Sequence, residues 1–228
     1  MMSAASKTID VYLEIGKTRV FAGALDWPGW CRPGRDESAA LQALAEAGPR
    51  YAQVARAAGI ALNPPSDAKG FVVTERLAGN STTDFGAPAL APVADQRPLD
   101  DAELERLQNI LRACWQAFDA AARAAEGKQL RTGPRGGGRD LAKIAEHVFG
   151  AESGYLAQLA WKRQKGEAGG DQAADIHDQA LQAIAAAAHG ALPTRGPRGG
   201  KMWPPRYFAR RVAWHVLDHA WEIEDRAG

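Results

Sequence analysis

The sequence predicts an α+β protein in which a small α/β unit is followed by an all-α four-helix bundle. Two changes of pattern support this prediction. Residues 8–30 alternate apolar and polar side chains, which is typical of strands, whereas from residue 99 onward apolar side chains recur at helical intervals. A stretch rich in Pro, Gly and Ala separates the two patterns. We therefore predict domains at 1–78 and 99–228, joined by a linker at 79–98.

The first unit is predicted to contain strands and one interrupted helix. Residues 8–15 form a first strand, and a short turn leads into a second strand. Asp36 or Ser38 can cap a following helix, which is expected to break or kink at Gly48 because a proline comes next. Residues 70–77 are a third strand candidate. This pattern is typical of a small α/β domain.

The second unit is predicted to be a bundle of four long helices. Asp100 and Glu103 have capping-box spacing at the start of the first helix, and two prolines precede the fourth. At about 1.5 Å per residue, helices of this length are roughly 30–37 Å long, as in four-helix bundles. In an up-down bundle the second and fourth helices start at the same end. The predicted helices are residues 99–125, 139–163, 171–190 and 205–226.

Composition excludes several classes of protein. The 228 residues include 28 basic and 27 acidic side chains, so the net charge gives no support to a nucleic-acid or anionic-membrane partner. The two cysteines, Cys31 and Cys114, make neither a disulfide framework nor a metal cluster, and they fit a reducing cytoplasm. We see no signal peptide and no apolar run long enough to span a bilayer. We expect a cytoplasmic protein whose oligomeric state, a homodimer included, stays open.

Three histidines are predicted to point into or beside the bundle interior. His215 and His219 lie one turn apart on the last helix, and His147 lies on the apolar stripe of the second. A buried neutral imidazole without a partner costs about 1–3 kcal/mol, and one shared metal ion would satisfy all three rings. A lone pair of histidines at this spacing is also explained by core or surface packing. The third histidine, about 10 Å from its helix start and at a depth similar to His215, favours the metal.

Other polar side chains near these histidines are weaker candidates. Glu222 continues the i, i+4, i+7 spacing and is predicted to be a fourth ligand or an outer-sphere partner of a ligand. Asp218 and Glu146 could also contribute a carboxylate. His177 is expected to be solvated in the polar first turn of the third helix, and His189 to favour the end of that helix.

The residues around these histidines resemble a known family. Two segments resemble the DinB/YfiT superfamily of metal-binding four-helix bundles. They are "IAEHVFGAESGYL", which contains His147, and "VAWHVLDHAWEIED", which contains His215 and His219. The resemblance covers about 99–228. It implies one divalent ion, zinc, nickel or iron, held by the three histidines. Some members are transferases or isomerases that use low-molecular-weight thiols such as mycothiol or bacillithiol.

The first unit has a resemblance of its own. "VFAGALDWPGWCRPGRDESAALQALAEA" resembles the HicB-like antitoxin fold, in which a strand, a Pro-Gly turn, a glycine and an acidic pair lead into a helix. The match spans roughly 8–60 and implies the fold rather than antitoxin activity. Two functions follow as expectations. One is a metal-dependent thiol S-transferase or isomerase, and the other is a non-catalytic, metal-stabilised protein that binds a partner through the HicB-like domain.

The pentapeptide GPRGG occurs twice, at 133–137 and 196–200. Each copy precedes a helix that carries part of the histidine set, so both loops are predicted to lie at the same end of the bundle. Arg135 and Arg198 could then bind a small anionic or thiol substrate. Ordinary Gly and Pro punctuation between helices is the alternative explanation.

Overall fold

The computed structural model describes residues 8–133, 138–163, 172–196 and 199–227. Over these residues the chain has one four-stranded sheet and seven α-helices, which confirms the mixed α+β class. It divides into two compact units, Met1–Gln96 and Arg97–Gly228. None of the described helices combines the length and the apolar character needed to cross a membrane.

The first unit is built on four strands. Their bounds are β1 (Ile9–Ile15), β2 (Val20–Ala24), β3 (Cys31–Gly34) and β4 (Phe71–Ala78). The strand order is β3-β2-β1-β4, with β1 antiparallel to β2 and parallel to β4, and β2 antiparallel to β3. The sequence pattern missed β3, because this edge strand is only four residues long and contains Pro33. The turn before β3 uses Gly29 at a φ of 93°, a backbone conformation that favours glycine.

Two short helices cover the core of this unit. They are α1 (Glu37–Glu46) and α2 (Gly48–Ala57), so the predicted break at Gly48 is confirmed. Asp36 is the residue that caps α1, since its side chain accepts a hydrogen bond from the Ala39 amide at 2.8 Å. Trp30 is fully buried and donates from its indole nitrogen to the Leu44 carbonyl at 2.8 Å, which fixes α1 against the sheet.

Residues 79–96, most of the predicted linker, belong to the first unit. They contain the short helix α3 (Ser81–Phe85), which begins at a capping box formed by Asn80 and Thr83. Glu14 of β1 is fully buried, and its carboxylate accepts hydrogen bonds from the Ala89 and Leu90 amides and from the Thr83 hydroxyl. The segment is therefore attached to the sheet through a buried carboxylate.

The second unit consists of four helices. They are α4 (Asp101–Ala124), α5 (Leu141–Gln158), α6 (Gln172–Ala188) and α7 (Pro205–Ala227). The side chain of Asp100 caps α4 through the Glu103 amide. The second helix ends five residues before its predicted end at 163, because Ala160 adopts a left-handed φ of 59° just after Gln158.

The helices run in directions that differ from the predicted up-down-up-down order. Trp115 and Phe118 of α4 meet Glu152 and Phe149 of α5 in reverse order, so these two helices are antiparallel. In the same way α6 is antiparallel to α4. Its contacts with α4 are His189 with Asp101, Leu181 with Gln108 and His177 with Trp115. Helices α5 and α6 therefore run in the same direction.

Helices α5 and α7 are antiparallel, which corrects the prediction that they start at the same end. At one end the Arg139 carbonyl, just before α5, accepts a hydrogen bond from Arg226 in the last turn of α7. At the other end Tyr155 lies under the guanidinium of Arg211 and beside Trp203, which precedes α7. The bundle order is thus up-down-down-up.

Candidate metal centre

Three histidines converge between α5 and α7, as their spacing predicted. The Nε2 atoms of His147 and His215 lie 3.3 Å apart. Candidate ligand atoms of His147, His215 and His219 all lie within 4.8 Å of one another. Because the two helices are antiparallel, His147 in the first half of α5 meets the middle of α7 at His215 and His219. The matching depth comes from this arrangement and not from a shared starting end.

The geometry fits a metal ion with nitrogen ligands. When zinc binds two imidazole nitrogens at about 2.0–2.1 Å with tetrahedral angles, the two nitrogens lie roughly 3.3–3.4 Å apart. The Nε2 atoms of His147 and His215 have nearly this separation. His215 is only 6% exposed, and its Nδ1 has no hydrogen-bond partner among the described residues. Its Nε2, which faces His147, is the nitrogen that would bind the ion.

The surroundings of His147 and His215 favour the neutral imidazole, which is the form that binds metals. Burial holds the pKa of His215 well below its usual range, and the neighbouring His219 and Arg211 add to the effect. Burial also lowers the pKa of His147, and the neighbouring His219 and Arg139 lower it further. Both rings therefore offer a lone pair at neutral pH.

Glu222 and Arg226 form a chain of contacts behind His219. The Nδ1 of His219 lies 2.8 Å from one Glu222 carboxylate oxygen, and Arg226 donates to the other oxygen at 2.7 Å. The hydrogen bond from His219 is the main reason that the pKa of Glu222 is lowered to about 2. With Nδ1 engaged in this way, Nε2 is the nitrogen of His219 that is left for an ion.

Aromatic rings and the guanidinium of Arg211 lie near His215. The ring of Tyr155 contacts His215 edge-on, with ring centroids 5.8 Å apart, and it also contacts Trp203. The guanidinium of Arg211 lies over the rings of Tyr155 and Trp214 at 5.6 and 4.7 Å. Sequence reasoning missed Tyr155 and Arg211, because neither has a spacing that marks it before the antiparallel packing of α5 and α7 is known.

The described residues that flank the two GPRGG copies lie at opposite ends of α7. The first follows Arg131 and precedes Arg139, and both of these residues bind Arg226 at the C-terminal end of α7. The second precedes α7, and the chain that follows it is fixed where the Trp203 amide donates to the Gln158 carbonyl at 2.8 Å. The premise of a shared mouth, that α5 and α7 start at the same end, is therefore wrong. Arg135 and Arg198 lie outside the described residues.

The other predicted candidates have different surroundings. Asp218 and Glu146 are not part of the close group of ligand atoms that the described residues form. His189 is exposed and pairs with Asp101 at 3.0 Å, so it contributes to the contact of α6 with α4. Cys114 is buried inside the bundle, and burial raises the pKa of its thiol.

His177 is not solvated as predicted. Its ring stacks on Trp115 with centroids 4.1 Å apart, and only 16% of its side chain is exposed. Its Nε2 lies 3.5 Å from a carboxylate oxygen of Glu152, a residue that is 2% exposed. The other oxygen of Glu152 accepts a hydrogen bond from the Trp115 indole at 2.7 Å. The first turn of α6 looked polar in sequence, but its His177 side faces α4 and α5.

We compared the chain with protein-family models, curated proteins and solved structures, and found no match in any of the three. The histidine site is therefore the observation that bears most directly on function.

Proposed function

We propose that this chain is a DinB-like metalloprotein that binds one divalent ion, zinc, nickel or iron, through His147, His215 and His219. The observation that carries the proposal is the convergence of three imidazoles from two helices, with candidate ligand atoms within 4.8 Å of one another. Neutral imidazoles suit all three ions. The resemblance of "HVLDHAWE" and its surroundings to the DinB/YfiT superfamily supports the same assignment.

We further propose a metal-dependent S-transferase or isomerase that acts on a small thiol. Three nitrogen ligands and an open position are the arrangement of catalytic zinc sites rather than structural ones. Such an ion, when bound, lowers the pKa of a coordinated thiol and so supplies a thiolate nucleophile at neutral pH. Both cysteines of the chain are buried, and Cys114, the cysteine of the bundle, has a raised pKa, so we expect the thiol to come from the substrate.

The neighbouring side chains support a substrate that is both anionic and thiol-bearing. Arg211 is half-buried beside His215, and a guanidinium in this setting binds a carboxylate with two parallel hydrogen bonds. Tyr155 and Trp203 offer an apolar surface next to it. Glu222 has both oxygens engaged by His219 and Arg226, which favours an outer-sphere role over that of a fourth ligand.

Spectroscopy of the cobalt-substituted protein tests this proposal. Addition of a carboxylate-bearing thiol such as glutathione should produce a sulfur-to-cobalt charge-transfer band. The variant Arg211→Gln should require about tenfold more of this thiol, the loss expected for one charge-assisted contact of about 1.5 kcal/mol. Its response to 2-mercaptoethanol, which has no carboxylate, should be unchanged.

Two results would change the proposal. If no thiol alters the spectrum although cobalt is bound, the catalytic role is wrong. If a chelator then also lowers the unfolding temperature, the protein is better described as a metal-stabilised binding protein. In that case the first unit, which we propose to be HicB-like from its strand, Pro-Gly turn and helix pattern, would carry the recognition.

A further inference from the structure

Arg226 is a buried cation that joins several parts of the bundle. It lies in the last turn of α7 and is only 4% exposed. Its Nη1 donates to Glu222 at 2.7 Å, its Nε to the Arg131 carbonyl at 2.6 Å and its Nη2 to the Arg139 carbonyl at 2.8 Å. One side chain thus satisfies acceptors from three separate places in the chain, as the planar guanidinium fork allows.

The two carbonyls belong to one connection. Arg131 lies within the stretch between α4 and α5, and Arg139 lies just before α5, so Arg226 holds this stretch at two places. The contact is reciprocal at Arg131. The Arg131 amide donates to the Arg226 carbonyl at 3.0 Å, and the Arg131 side chain donates to the Asp225 carbonyl at 2.7 Å. The last turn of α7 and this part of the connection are therefore fixed together.

The third acceptor leads to the metal site. Glu222 receives Arg226 on one oxygen and contacts His219 Nδ1 with the other. A carboxylate in this position fixes the tautomer and the orientation of a ligating imidazole and raises its basicity. Without Arg226, Glu222 would keep one of these two partners and could rotate away from the ring. The orientation of His219 thus depends on a residue that touches neither the ring nor the ion.

We propose that Arg226 is a positioning residue for the metal site, which acts on His219 through Glu222 and couples the site to the connection between α4 and α5. This inference rests on the proposed function, since it requires that His219 binds an ion. The coupling is reciprocal. Metal affinity depends on the contacts of Arg131 and Arg139 with Arg226, and bound metal stabilises those contacts by the same factor. Removal of the Arg226 guanidinium breaks both contacts at once.

Arg206 provides a matched control at the opposite end of α7. It donates to the carbonyls of Arg97 and Pro98 at 3.1 and 2.9 Å and pairs with the carboxylate of Glu103. Like Arg226, it satisfies two carbonyls and one carboxylate, but it contacts no residue of the histidine site. Substitution of either arginine should destabilise the metal-free bundle, whereas only Arg226 should affect the ion.

The experiment measures zinc affinity of the full chain by competition with a chromophoric chelator. We expect Arg226→Gln and Glu222→Gln each to raise the zinc Kd roughly 10- to 100-fold, the usual effect of removing an outer-sphere partner of a ligand. Arg206→Gln should leave the Kd within about twofold of the starting protein, because contacts this far from the site act independently. The double variant Arg226→Gln/Glu222→Gln should bind zinc no more weakly than Glu222→Gln alone, since Arg226 acts through Glu222.

The outcomes separate the two proposals. If the unsubstituted chain and Arg206→Gln do not bind zinc, nickel or ferrous iron, the proposed metal function fails. If both bind zinc but Arg226→Gln binds it equally well, the inference about Arg226 is overturned and the metal function survives. Additive losses in the double variant would also overturn it, since they would show that Arg226 acts independently of Glu222. Arg226→Lys, which keeps the charge but cannot span both carbonyls, carries the same test if the glutamine variant does not fold.

Discussion

The two ring nitrogens of His215 differ in their contacts with the rest of the protein. Its Nε2 faces His147 at 3.3 Å, and its Nδ1 is buried without a hydrogen-bond partner among the described residues. Glu152 and His177 form a second buried polar pair, separated by 3.5 Å, with Trp115 as the donor that holds the Glu152 carboxylate. These two polar groups differ in what they bring together. The first places several imidazole nitrogens at one point, whereas the second pairs one imidazole with one carboxylate, and the facing atoms, His177 Nε2 and Glu152 Oε2, are buried without a hydrogen bond among the described residues.

The Trp115 indole is predicted to contribute substantially to stability through Glu152. Trp115→Phe keeps the aromatic stacking on His177 but removes the donor to a buried carboxylate. We expect a loss of about 1–3 kcal/mol in the free energy of unfolding, measured by urea denaturation. Trp161→Phe is the matched control, since its indole makes a longer bond of 3.3 Å to Gln179 in a less buried place. Equal losses for the two variants would contradict the importance assigned to Glu152.

At the scale of the elements, the directions of the helices decide which side chains meet. Spacing along α7 was sufficient to predict that His215 and His219 share a face, because i and i+4 always do so on a helix. His147 was predicted from its place on an apolar stripe. The partners across the helix interface were not predictable in this way. Tyr155, Arg211 and the Arg226 contacts depend on α5 and α7 being antiparallel, and the assumed up-down order gave the opposite orientation.

The first unit shows the same limit. Strands β1, β2 and β4 and a cap at Asp36 or Ser38 follow from local patterns, whereas β3 is too short to show a period. Residues 79–96 have no period either, yet they are fixed to the sheet by non-local hydrogen bonds to Glu14 and Glu75. Only the folded arrangement shows those contacts, since the Ala89 and Leu90 donors lie 75 and 76 residues after Glu14, and the Val93 donor lies 18 residues after Glu75.

Glu14 is predicted to hold this segment on the sheet. Glu14→Ala removes the shared acceptor of the Ala89 and Leu90 amides, and hydrogen bonds to a charged group contribute on the order of 1.5–3 kcal/mol. We expect faster hydrogen exchange at these two amides, measured by NMR. Glu75→Ala, which removes the acceptor of the Val93 amide, should leave exchange at Ala89 and Leu90 unchanged. Unchanged exchange in Glu14→Ala would show that other contacts hold the segment.

At the scale of the whole molecule, the candidate metal site lies entirely in the second unit. The three histidines, Glu222 and Arg226 all lie within Arg97–Gly228. Each unit has its own buried core, with Trp30 and Tyr51 in the first and Leu111 and Phe208 in the second. We therefore expect the proposed metal binding to require no residue of the first unit.

The isolated segment 97–228 is predicted to bind zinc on its own. Its Kd should lie within about tenfold of the full-length value, a difference of less than about 1.4 kcal/mol. The measurement is the same chelator competition, with circular dichroism to confirm that the segment is helical. A helical segment that binds zinc more than about a hundredfold more weakly would show that the first unit contributes to the site.

The central claim, that the three histidines hold one ion, is tested most directly by elemental analysis of the purified protein after equilibration with zinc, nickel or ferrous iron and removal of free ion. We expect one ion per chain, and a loss of most of that ion in His215→Ala and His147→Ala, which remove ligands from different helices. His189→Ala, which removes an exposed histidine outside the site, should retain the full ratio. A metal-free unsubstituted chain, or an unchanged ratio in folded His215→Ala, would contradict the claim.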